Sequence, residues 1–410
     1  MEASAGTELA KHTLQIFGII IVTGMACGLL ARRLRIPDVA LLLIAGMLLG
    51  PAAAGLIHVP AGSALNQLIL IFGASYILFD GGASLKLSVL KQTWITITVI
   101  STLGVLITGG ITAIAAHHLL TMPWPLALLL GAVVASTDPA TLVPVFRQIA
   151  IRERVAQTVM SESAFNDAMG AIVTFAILAV VTGHGEFSVW AALRDLAWQS
   201  AIGILAGVVL GYLAAAGIAH ARFNFLVEYA PVVSLVAVIG AYLAADNFQA
   251  SGFMAVFVFG VVLGNKEMFG FKMEEQEAEQ LDNFILTTAF VMRVFIFVLL
   301  GAQVEFGLMR EYGLAAFGVV LIFMLVARPL TVFACALPDR RAKWTFKEML
   351  FMCWTRETGV IPGALAGMLI GLNIPGANII ASVTFVAILM TILIQATTTG
   401  WLAKKLDLLA

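Results

Sequence analysis

Of 410 residues, 61% are hydrophobic and only 11% are charged; the net charge is −1 and the mean hydropathy +1.00. So little charge cannot cover the surface of a soluble domain of this length, and the near-neutral balance gives no pointer to nucleic acid, which is not expected as a partner. The three cysteines, Cys27, Cys335 and Cys353, fall inside apolar runs and no HExxH occurs, which excludes a disulfide framework and the common zinc motifs.

Apolar runs long enough to cross a bilayer, about 20 residues each, recur from end to end. The first follows Glu2, Glu8 and Lys11, the wrong charge for a secretion signal, and ends in Arg32-Arg33-Leu34-Arg35, so it is expected to remain as a span. In chain order the pattern predicts thirteen transmembrane helices, near 13–31, 37–57, 65–85, 92–118, 123–147, 155–183, 195–219, 225–245, 248–264, 284–303, 313–337, 346–371 and 377–402. Loops on one side hold seventeen of the 23 basic residues, Arg35, Arg147 and Arg222 among them; the other side has only Lys11, Arg194 and Arg310, and Arg293, Arg328 and Arg356 fall within spans. The positive-inside rule then puts the N-terminus outside and the C-terminus in the cytoplasm of a plasma or bacterial inner membrane. One loop differs: Lys266–Asp282 is long and acidic, and reads as a solvated cytoplasmic helix.

An odd count suits two six-helix repeats of inverted topology, 13–183 and 225–402, joined by a linking helix at 195–219 in one transporter domain over 1–410. The expected fold is all-α and polytopic, with broken helices crossing at mid-membrane. Span 5 contains Ala135-Ser136-Thr137-Asp138-Pro139, and span 12, its partner by count, contains Thr355-Arg356-Glu357-Thr358-Gly359-Val360-Ile361-Pro362-Gly363. Each sets polar residues and then a proline at mid-membrane. Proline removes a backbone bond, and freed peptide groups are tolerated at that depth only against protein or a wet cavity.

An ionisable side chain at mid-bilayer costs about 2.5–3.5 kcal/mol on insertion scales, so such residues are functional candidates. The acids are Asp80, Asp138, Glu162, Asp167 and Glu357; the bases are Arg293, Arg328 and Arg356. If all are ionised, two negative charges remain, which favours cations or protons over anions. Span 6 reads Ser161-Glu162-Ser163-Ala164-Phe165-Asn166-Asp167. On a helix Glu162 and Asn166 share one stripe and Ser163 and Asp167 the next. Hard cations take oxygen ligands, and Ser163 and Asp167 offer two, one turn apart. Burial disfavours a charged carboxylate, so proton and cation compete for Asp167, which is the requirement for antiport. A polar helix–helix clasp accounts for Glu162 and Asn166 but leaves Asp167 without a task.

Glu-Ser-x-x-Asn-Asp in span 6, Thr-Asp-Pro in span 5 and Phe79-Asp80-Gly81-Gly82 in span 3 together resemble the monovalent cation:proton antiporters, the group of NhaP proteins and sodium/proton exchangers. The resemblance covers nearly the whole membrane domain, and the span order matches. It implies that Asp167 binds cation and proton, with Ser163 and Thr137 as further ligands of Na+ or K+ and Asn166 and Asp138 shaping the site. Asp80 stands where the family's motif usually has Glu, one methylene longer. The Asn166-Asp167 pair implies electroneutral exchange, and the family's pairing of span-6 Glu with span-11 Arg implies a structural Glu162–Arg328 bridge. Arg356 sits where exchangers carry an arginine in the second broken helix, with Glu357 following directly as a neutralising group. A homodimer in lipid is implied as well, with Na+, Li+ or K+ and H+ as substrates, no cofactor and no enzymatic activity.

Other classes remain as rivals. A cation channel needs a continuous pore with a filter, and no repeated filter-like segment is present. An ion-coupled symporter of the same fold is disfavoured by the acidic site. An intramembrane aspartyl protease needs two acids sharing a proton, which the Asn166 and Thr137 context opposes.

Overall fold

A computed structural model provides the fold; it describes residues 2–409 apart from 35, 138–141, 143–145, 147–148, 184–188, 220–224 and 305, with side chains at 2–6, 164, 168, 189, 191–193, 196 and 308–310 also left aside. Asp138 and Pro139, and the loop residues Arg35, Arg147 and Arg222, lie outside the described residues, as does the side chain of Arg310.

The described chain is helical, its one β feature being an isolated bridge between Ile151 and Leu409. The helices in order are α1 (Glu2–Leu34), α2 (Asp38–Leu49), α3 (Ala64–Ala83), α4 (Leu87–Leu119, with a π stretch at Ile100–Gly104), α5 (Trp124–Val134) and α6 (Glu153–Val181). There follow α7 (Val189–Ala219), α8 (Ala230–Asp246), α9 (Gly252–Gly264), α10 (Glu275–Ala302) and α11, which runs from Phe306–Ile322 through a π stretch at Phe323–Ala327 into Arg328–Ala336. The last are α12 (Phe346–Trp354), α13 (Val360–Gly371) and α14 (Ala377–Lys405, with a π stretch at Thr391–Ala396). Among the described residues nine helices are long and apolar enough to cross a membrane, and α2, α5, α9 and α13 are shorter apolar helices. Among the described residues each segment read from the sequence contains helix, the segment at 346–371 being divided between α12 and α13.

The boundaries differ where local chemistry intervenes. The second span was expected to reach 57, but α2 stops at Leu49, because Pro51 has no N–H to donate and Gly50 before it is extended. The acidic stretch before span 10 is helical from Glu275, started by a capping box between Glu274 and Glu277. In span 12 the interruption covers Thr355–Gly359, ahead of Pro362. That proline lies in the first turn of α13, where a missing N–H costs nothing.

Close helix contacts rest on small residues, as expected where lipid is as apolar as leucine. In α9 the sequence Gly260-Val261-Val262-Leu263-Gly264 lies on α3: a methyl at Gly260 would strike the Phe79 carbonyl, and one at Gly264 the backbone of Ala83. At the end of the bundle that carries Lys86, Asn265 clamps the α3–α4 turn by donating to Leu85 O at 2.7 Å and accepting from Leu87 N at 3.1 Å. There too Arg154, at the start of α6, donates to the buried Glu348 of α12 at 3.0 Å and lies 4.5 Å over the Trp344 ring. α6 and α12 are thereby fixed to each other. These two helices lead into the polar centre of the molecule.

Candidate ion and proton site

Two interruptions meet inside the bundle. α5 ends at Val134 and the backbone leaves helical geometry at Ala135–Thr137; between α12 and α13 it does so at Thr355–Gly359. Arg356, from the second break, donates through Nη2 to the carbonyl of Ala135 in the first and through Nη1 to Thr108 Oγ1 of α4 at 3.1 Å. Its guanidinium also lies 5.1 Å from the Phe323 ring centre. A helix end leaves carbonyls without intrahelical partners, and a cation beside them is favourable. Arg356 thus ties one break to the other.

The first break is held from the other side by α6. Thr137 N–H donates to Asn166 Oδ1 at 2.9 Å, and the Thr137 hydroxyl accepts from Asn166 Nδ2 at 2.7 Å. That hydroxyl also donates to Ser163 Oγ at 2.9 Å. One turn beyond Ser163 on the same face comes Asp167, 1% exposed. Ser163, Asn166 and Thr137 are buried as deeply. Two hydroxyls and an amide thus bond to one another at the unwound backbone, and a buried carboxylate follows one helical turn from Ser163; oxygens of this kind are those that small hard cations take.

Glu162 has a different partner. Its two carboxylate oxygens accept from Arg328 Nη1 and Nη2 at 2.5 and 2.8 Å, a bidentate pair that is 2% and 1% exposed. Arg328 Nε donates to Met352 O at 3.0 Å, so the pair also fixes the end of α12. The fork of two parallel bonds matches a guanidinium to a carboxylate.

Asp80 is buried on α3, a neighbour of α6, and Glu357 is fully buried at the second break. Arg293 stands apart from these residues: its Nε lies 3.7 Å from Asp38 of α2. The charge balance drawn from the sequence changes accordingly, since it omitted Asp38, and Arg293 draws its counter-charge from α2. Asp38 follows Pro37 in the first turn of α2, where an acid also suits the helix dipole, so nothing in the pattern marks it as a partner. Thr108 was likewise missed, because a threonine in an apolar run is too common to be a signal. A cavity of about 810 Å³ opens at the opposite end of the bundle from Lys86, lined by His58, Gln303 and the glycines Gly62, Gly307, Gly367 and Gly371. Asp80, Glu162, Asp167 and Glu357 are not among the residues that line it.

A helical bundle with two broken helices meeting at buried charges defines a membrane carrier. Residues 18–405 match the family model described as the sodium/hydrogen exchanger, transmembrane. The chain is 32% identical to the Na+/H+ antiporter 1 of Methanocaldococcus jannaschii, over 95% of this chain and 94% of that protein. It is 27% identical to the K+/H+ antiporter NhaP of Alkalimonas amylolytica, over 96% of this chain and 66% of the relative. The solved structure of the sodium proton antiporter MjNhaP1 from Methanocaldococcus jannaschii at pH 8 superposes with a TM-score of 0.83 at 30% identity, covering 97% of this chain and 99% of that one. The chain belongs to this family of cation:proton antiporters; it is an integral membrane transporter and not an enzyme.

Proposed function

We propose that this chain exchanges Na+ or Li+, or K+, for H+ one for one by alternating access, with Asp167 binding cation and proton in turn. The observation that carries this reading is the setting of Asp167: a buried carboxylate one turn from Ser163, whose hydroxyl is bonded to Thr137 at the first helix break. Burial disfavours the charged carboxylate; an arriving cation restores it, and the proton leaves. Ser163 and Thr137 supply further oxygens to the ion. Asn166, bonded to both the N–H and the hydroxyl of Thr137, keeps the broken segment in shape. The relatives named for Na+ and for K+ support a monovalent ion of either kind.

Alternation by two inverted repeats, 13–183 and 225–402 about the helix at 195–219, has support in a detail of the packing. α4 and α11, partners by count, each carry a π stretch. Thr108 and Thr331, each four residues beyond its stretch, bond to one another through their hydroxyls at 2.8 Å. A pair of equivalent residues in contact is what a two-fold axis between repeats produces. The protein works in a plasma or bacterial inner membrane as a homodimer in lipid, with its N-terminus outside and its C-terminus in the cytoplasm, and it needs no cofactor.

The decisive test is Asp167→Asn. The amide keeps the size of the side chain but takes up no proton, so proton flux in proteoliposomes given Na+ or K+ should vanish. Loss of a buried carboxylate spares its desolvation, so the melting temperature should hold or rise. A well-folded Asp167→Asn protein exchanging at near wild-type rates would overturn the mechanism.

A further inference from the structure

The two helix breaks gather more buried polar atoms than the protein itself satisfies. Ser136 Oγ, Arg356 Nε, Thr358 Oγ1 and both Oε1 and Nε2 of Gln395 are shielded from solvent and have no hydrogen-bond partner among the described residues. Ser136 directly precedes Thr137 at the first break and Thr358 directly follows Glu357 at the second; both are 0% exposed. Gln395 is 1% exposed and comes from the π stretch Thr391–Ala396 of α14. That stretch is pinned to the second break, because Thr358 N–H donates to Thr391 Oγ1 at 3.0 Å. Gln395 follows Thr391 by four residues, which keeps the two side chains on one face of α14, and Thr398 three residues further on accepts from Trp354 Nε1 at 2.8 Å just ahead of the break.

A buried amide with neither end bonded is rare and calls for a ligand. Buried water is the common one, binding where two to four polar partners converge. π bulges, for their part, recur at functional sites. We propose that the second break and the π stretch of α14 enclose a hydration site, in which ordered water bridges the Gln395 amide and the Thr358 hydroxyl. Water fits these groups because the Gln395 amide both donates and accepts, as does the Thr358 hydroxyl, matching the two hydrogens and two lone pairs of one water molecule. Such water gives the Thr355–Gly359 backbone hydrogen-bond partners that do not belong to either conformation of the carrier. The segment is then able to rearrange without exposing bare peptide groups. Gln395 is a positioning residue that acts through water on the broken segment. This role rests on the alternating-access reading above, whereas the hydration site itself does not.

Three measurements test it. A cryo-EM map of the wild-type protein at a resolution that shows waters should have density within hydrogen-bond distance of the Gln395 amide. Gln395→Met, of similar volume without the amide, should lose that density and lower the maximal exchange rate at least fivefold, with a smaller change in the KM for Na+ and a melting temperature unchanged or raised. Thr358→Val should slow exchange in the same way and Thr358→Ser should restore it. A wild-type map with no water at the amide, or with the amide bonded to protein atoms, overturns the site whatever the variants do. Wild-type exchange rates in a folded Gln395→Met protein overturn the role. Active exchange in Asp167→Asn would overturn the ion mechanism and leave the map unaffected.

Discussion

Glu162 and Asp167 lie on successive turns of α6 and are both buried, and the reading proposed above gives them different tasks. Glu162 is spent on Arg328 in a buried, bidentate pair whose guanidinium also holds Met352 O. Two charges in low dielectric gain little over an apolar pair, but removing one of them strands the other. Arg328→Ala should therefore cost about 3–5 kcal/mol of stability, read as a lower melting temperature in detergent. An unchanged melt would mean that Glu162 is anchored by another group. Asp167 is as deeply buried and lies one turn from the Ser163 hydroxyl, where the reading proposed above has it bind cation and proton in turn. Both acids were legible in the sequence as ionisable groups in an apolar helix. The Arg328 partner came from the family resemblance, whereas the Asp38–Arg293 contact and the Thr108 bond to Arg356 required the packing.

At the scale of elements, the breaks and the tight helix pairs share one cause: backbone brought close to backbone. α9 presents Gly260 and Gly264 to α3, where any side chain meets main-chain atoms that cannot swing aside. Gly264→Val should part the two helices and destabilise the protein by about 1–3 kcal/mol. A melt of the variant in detergent would measure this, and a wild-type melting temperature would contradict the close pairing. The same pair carries Asp80 on α3, so exchange in the folded fraction should fall too. Sequence reading found the polar-then-proline punctuation of spans 5 and 12 but misjudged what proline does in the second. Pro362 starts α13, and the unwinding lies in Thr355–Gly359 before it. The residue types signalled an interruption; its register depended on Arg356 reaching Ala135 across the bundle.

For the whole molecule, the single titrating carboxylate proposed above would fix both stoichiometry and pH response. One proton leaves for each cation bound, so exchange by proteoliposomes should be flat with membrane potential; a steep voltage dependence would require a second carried proton, Glu357 being the first residue to test. The rate should also pass through a maximum with pH. At low pH the proton excludes the cation, and at high pH the empty site has no proton to return. A monotonic profile across the accessible pH range would contradict competition at one group.

The sequence by itself determined what depends on composition and periodicity. A chain this apolar must place its helices in lipid, and its charged loops, its broken spans and the acids of span 6 are written locally. Beyond the pairings that the family resemblance implied, only the tertiary structure decided the partners, Asp38 for Arg293 and Thr108 for Arg356 among them. Glu162 and Asn166 are near neighbours on one helix, yet Arg328 comes from α11 and Thr137 from the end of α5. A buried charge or amide is settled by whatever stands across from it. That is a property of how the helices pack, and no local pattern in the chain records it.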